Sequence, residues 1–180
     1  MMKTHPISIP WSMLGVGIMC GALVLPIAKA DDDPELTRPS LKGLRWIRVS
    51  IRLASTNDLK GFGVTEDTLR TDVELKLREA GLPITSDADV LKRGGAFLCV
   101  VLTVVSPKEA EGSAFAYNLE VHVEQPASLM RDPSIIDPLA VTWSTGVTGF
   151  LGGERIRAIR DTLGDLTNKF LNAYLSVNPR

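Results

Sequence analysis

Histidine and cysteine are nearly absent from this sequence: its 180 residues hold two of each, and His5 and Cys20 both fall within the first thirty. Beyond them stand one histidine, His122, and one cysteine, Cys99. A single thiol forms no intramolecular disulfide, so stability has to come from a packed core. The same scarcity removes structural zinc sites and Cys-His or Ser-His-Asp nucleophile systems of ordinary type. No Walker pattern or complete dinucleotide fingerprint is present, and no block of five like charges occurs. No catalytic residue, metal ligand or cofactor is therefore assigned, and no nucleic-acid partner is expected.

What is present begins with an export signal. Lys3 and His5 make the start mildly positive, and Ile7 to Ala28 carries no charged residue, an n-region followed by an apolar h-region. Pro26 disfavours further helix, and Ala28-Lys29-Ala30 sets small residues at the −3 and −1 positions of a signal peptidase site. Residues 1–30 read as a signal peptide cut after Ala30, and Asp31, Asp32 and Asp33 suit a translocated mature end. The alternative is a retained N-terminal membrane anchor, because the apolar stretch is near the ~17-residue lower limit of a span. Cys20 does not resemble a lipidation site, since Met19 precedes it and Gly21-Ala22-Leu23-Val24-Leu25 follows. The expected location is periplasmic or secreted, with membrane contact only if the signal segment is kept. Without Lys3 and Lys29 the chain has 18 basic residues against 21 acidic ones, a net charge of −3.

Residues 31–43 carry Pro34, Pro39 and Gly43 without an apolar period and read as a flexible N-terminal tail. A single domain over 44–180 follows. Ile47, Val49, Ile51 and Leu53 alternate with Arg48, Ser50 and Arg52, the period of a half-buried strand. Thr65 is a helix N-cap, and Leu69, Val73, Leu77 and Ala80 line one helical face that Gly81 closes. Ala96 to Val105 is apolar at nearly every position, as a strand buried on both faces would be. Ala114 to Glu124 alternates again, with Phe115, Tyr117, Leu119, Val121 and Val123 opposite Asn118, Glu120, His122 and Glu124. Gln125 to Pro138 holds three prolines and is expected to be an irregular connection. Leu139 to Phe150 returns to strand, and Ile156, Ile159, Leu163, Leu166 and Phe170 form the stripe of a last helix. The order β-α-β-β-β-α predicts an α+β two-layer sandwich: a mixed sheet of about four strands with two helices on one face.

Two resemblances follow from particular stretches. Thr142-Trp143, Phe170-Leu171-Asn172-Ala173-Tyr174-Leu175 and Val177-Asn178-Pro179 resemble a group of uncharacterised exported bacterial proteins. The opening strand-helix-strand, with Arg78-Glu79-Ala80-Gly81-Leu82 and then Ile84, is similar to the small α/β domains of TolB N-terminal and CsgG-type envelope proteins. The similarity implies an envelope setting and transfers no functional residue.

The function expected is a non-enzymatic periplasmic binding or scaffolding module that engages an envelope protein or forms a homo-oligomer. Its candidate interaction face is the sheet surface away from the helices: Trp46, Arg48, Arg52, Phe97, Val101, Glu120, His122 and Glu124. Glu120, His122 and Glu124 share that face, but successive same-face positions on a strand lie nearly ~7 Å apart, too far for three short reaches to converge on a cation. They read as a solvated polar face. Phe97, Cys99, Val101 and Val105 also point outward and need a cover, either a partner or the Pro126 to Pro138 connection. The alternative functions are an enzyme or small-ligand-binding protein with a loop-formed site, around Gly61 or Pro126 to Pro138, and a membrane-anchored subunit.

Overall fold

A computed structural model describes residues 35–55, 59–86, 89–106 and 114–179; the signal segment and the three aspartates lie outside them. Six main elements follow one another: β1 (Ile47–Ser55), α1 (Glu66–Glu79), β2 (Ala96–Val105), β3 (Ala114–Leu129), β4 (Asp132–Gly152) and α2 (Ala158–Val177). The strands form one sheet in the order β1-β2-β3-β4. Strands β1 and β2 are parallel, while β2-β3 and β3-β4 are antiparallel. A parallel pair needs a crossover, which α1 supplies. The fold is α+β, with a mixed four-stranded sheet and two helices. No helix among the described residues is long and apolar enough to cross a membrane.

Local chemistry sets the ends of α1. Thr65 Oγ1 accepts from the Thr68 backbone N–H at 3.1 Å, and Thr68 Oγ1 accepts from the Thr65 N–H at 3.0 Å, a reciprocal box that satisfies two donors otherwise left without partners. At the other end Gly81 has φ +72°. Its N–H donates to Arg78 O, and the Leu82 N–H donates to Leu77 O, the paired bonds of a Schellman closure.

The apolar stripes meet as their spacing demands. Ile47, Val49 and Ile51 of β1 are buried together with Leu98, Val100 and Leu102 of β2 and with Ile159, Leu163, Leu166 and Phe170 of α2. Trp143 of β4 meets Phe170 edge-on, with ring centroids 5.4 Å apart. The two helices are tied by Arg160, whose guanidinium donates twice to Asp72 at 2.7 and 2.8 Å. Gly95, just before β2, lets the chain pass Trp46: a Cβ there would lie 2.6 Å from Trp46 O and 2.5 Å from Val90 Cγ2.

Two expectations differ from the structure. Gln125 to Pro138 is not irregular; it belongs to β3 and β4, which run on as a long hairpin turning at Met130-Arg131. The prolines fit because Pro126, Pro133 and Pro138 all fall at register shifts, where no ladder bond is required of them. The tail also ends earlier than its composition suggests, since a 3-10 turn at Arg38–Leu41 is docked on the domain. Leu41 is fully buried, Ser40 Oγ donates to Thr142 O at 3.0 Å, and Asn178 Nδ2 donates to Leu41 O at 2.9 Å. One anchoring leucine carries no period, so alternation could not reveal it.

Candidate interaction face

Strand alternation puts Arg48 and Arg52 of β1, Phe97, Cys99 and Val101 of β2, and Glu120, His122 and Glu124 of β3 on the sheet surface opposite the helices. Register then decides which of them meet. Cys99 pairs with Ser50 on one side and with His122 on the other, and His122 pairs in turn with Ser144. Cys99 is small. Arg52 and Glu124, on strands that flank β2, reach toward each other and meet at 3.0 Å.

The result is a connected polar chain. Nδ1 of His122 lies 3.0 Å from Glu120 Oε1, and its Nε2 lies 3.1 Å from Glu124 Oε1. Arg52 Nη2 donates to Glu124 Oε2 at 3.1 Å. His122 and Glu124 are buried, so the solvated polar face expected from sequence is instead a shielded network. The side chains of Glu120 and Glu124 turn along the strand to meet the imidazole between them, which the spacing of the backbone alone had argued against. A hydrogen-bonded chain needs only donor and acceptor atoms at about 3 Å, not a common point of convergence.

The charges respond to this setting. Burial works to raise the Glu124 carboxyl, but hydrogen bonds from His122 and Cys99 and the nearby charge of Arg52 outweigh it and hold the group below its usual range. Burial, then the charge of Glu124 and a hydrogen bond to it, pushes the Cys99 thiol up to about 12. Such a thiol is a weak nucleophile.

Other predicted members of the face are placed more openly. Arg48 sits over the Phe97 ring, 5.7 Å from its centroid, so Phe97 is half-buried beneath a cation. Val101 is half-buried, and Trp46, just ahead of β1, is 43% exposed. The 126–138 segment does not cover this face, because it is paired within the sheet and its residues past the turn are exposed. Cys99 is fully buried and lies within reach of Glu124, Arg52 and Ser50. Sequence reasoning missed that Cys99 belongs to the network; its outward position on β2 was legible, but its pairing with His122 was not.

No protein-family model matches the sequence, and no curated protein matches it. Among solved structures the chain is similar to PelC. A single-substitution variant of the PelC dodecamer from Paraburkholderia phytofirmans aligns with a TM-score of 0.45 and 13% identity, covering 81% of this chain and 96% of that one. A second PelC dodecamer from the same organism aligns at 0.42 and 17%, covering 81% and 94%. A likeness at this level transfers no residue role to this chain.

The loop around Gly61 leads elsewhere. It borders a groove of about 830 Å³ lined by Gly61, Phe62, Asp72, Lys76 and Arg160. Asp72 there is already held by both Arg160 donors, while Glu79 and Asp161 also line the groove. The second loop candidate, Pro126 to Pro138, is part of the β3–β4 hairpin.

Proposed function

We propose that this chain is a non-enzymatic periplasmic binding or scaffolding module of the bacterial cell envelope, which engages an envelope protein or a second copy of itself along β4. The observation that carries the proposal is the position and surface of that strand. It spans 21 residues at one edge of the sheet, so among the described residues one of its sides has no neighbouring strand. An edge of this kind is a template for strand addition. Ile136 is 62% exposed and Val141 54%, with Ile135 and Leu139 also exposed close by. Burying such side chains against a partner stabilises an interface by roughly 1.5–3 kcal/mol each when burial is complete. The export signal read from the first thirty residues and the resemblance to envelope domains support the setting.

Light scattering on the size-separated full chain, alone and mixed with envelope extract, tests the reading. The wild type is expected to elute as an oligomer or in a complex. The double variant Ile136→Lys, Leu139→Lys is expected to lose that association at an unchanged melting temperature. A wild type that stays monomeric and unbound, or a double variant that assembles normally, defeats the proposal.

A further inference from the structure

The geometry points to a binding site for a thiophilic divalent cation of the zinc class, formed by Cys99, His122 and Glu124 on the outer sheet face. All three residues are buried, and one ligand atom from each lies within 4.8 Å of the others. They offer one sulfur, one imidazole nitrogen and one carboxylate oxygen, a mixed set that zinc accepts while leaving a fourth position to water. Tetrahedral zinc with bonds of about 2.0–2.3 Å spaces its donor atoms by about 3.3–3.6 Å. Binding therefore draws the three ligand atoms together from within 4.8 Å of one another, through rotation of their side chains.

The surroundings of the three ligands supply an independent reason. Glu120 Oε1 lies 3.0 Å from His122 Nδ1. Nε2 faces Glu124 at 3.1 Å in the metal-free chain; on binding, the ion replaces that hydrogen bond, the imidazole keeps one proton on Nδ1 toward Glu120, and its Nε2 lone pair goes to the metal, the carboxylate–histidine arrangement that orients metal ligands. From the opposite side Arg52 Nη2 donates to Glu124 and holds that carboxylate in place. The charges also balance. As the zinc–sulfur bond forms, the Cys99 thiol proton leaves to solvent, and the thiolate and Glu124 neutralise the two charges of the ion. Arg52 then offsets Glu120. Cation binding goes beyond the interaction-module reading and does not depend on it.

Cobalt titration of the full chain, carrying Cys20→Ser so that Cys99 is its only thiol, tests the site. One equivalent of Co²⁺ is expected to produce a sulfur-to-cobalt charge-transfer absorption that Zn²⁺ displaces. Cys99→Ala is expected to abolish the absorption and His122→Ala to abolish stoichiometric binding. Glu120 has a 39% exposed side chain, so Glu120→Gln alters the partner of His122 Nδ1 while keeping all three ligands. It is expected to weaken Zn²⁺ binding about 10–100-fold with an unchanged circular dichroism spectrum. A folded chain that gives no charge-transfer absorption, a Cys99→Ala protein that binds zinc as the parent does, or a Glu120→Gln protein with parental affinity overturns the assignment.

Discussion

Cys99 on β2 and His122 on β3 are direct partners across an antiparallel ladder. That one pairing places a thiol beside an imidazole whose two nitrogens lie 3.0 and 3.1 Å from carboxylate oxygens. Arg52 completes the group from β1. Three strands thus contribute to a polar cluster over a residue that is fully buried, on a sheet surface that carries no second layer of helices among the described residues.

Glu124 makes the fold sensitive to acid. Its carboxyl is held below the ordinary range by His122, Cys99 and Arg52 against the opposing effect of burial. The stability it contributes is present above the unfolded carboxyl value of about 4.3 and is lost as pH falls through the lower folded value. Urea melts with chelator present should show Glu124→Gln less stable than wild type by about 1–3 kcal/mol at pH 7. The gap should narrow below pH 4, and a gap independent of pH would detach Glu124 from the network.

Cys99 has the opposite dependence. Burial, with Glu124, pushes its thiol up to about 12 from an ordinary 9.0. The contribution is complete below the unfolded value and is lost as pH rises through the folded one. Between those limits the folding equilibrium should weaken by roughly tenfold per pH unit on account of this group. Cys99→Ala should flatten that part of the alkaline limb relative to wild type, measured by denaturation in chelator from pH 8 to 11. Parallel limbs in the two proteins would show that the thiol is not shielded.

Val101 distinguishes an open face from an internally covered one. It is half-buried, pairs with Glu120 on one side and Arg52 on the other, and no described segment packs over it as a layer. Val101→Glu is expected to remain folded, with its melting temperature lowered by only a few degrees. Unfolding at room temperature would reveal a cover within the chain.

Leu163 tests the helix layer. It is fully buried between α2 and the sheet, and truncation to alanine should cost about 2–5 kcal/mol by denaturant melts. An unchanged midpoint would make α2 peripheral to the core.

Much of this architecture was legible because side-chain period reports burial directly. The alternation from Ile47 to Leu53 and the stripe from Ile159 to Phe170 each specify an element and the face it buries. Thr65 and Gly81 mark helix ends by chemistry that acts within a few residues. The hairpin was not legible for a related reason: Pro126, Pro133 and Pro138 oppose regular strands, and only the register shifts of β3 against β4 accommodate them. The docking of Leu41 rests on hydrogen bonds to Thr142 and Asn178, more than a hundred residues away.

By itself the sequence determined which side of each strand Cys99, Glu120, His122 and Glu124 occupy, because alternate residues of a strand project to opposite faces. It also determined the order of the elements, through local propensity and capping. Only the tertiary structure decided that β2 lies between β1 and β3, and that the register sets Cys99 against His122. Strand order and register arise from the joint packing of all the apolar faces in one core, a property of distant segments together and not of any one of them.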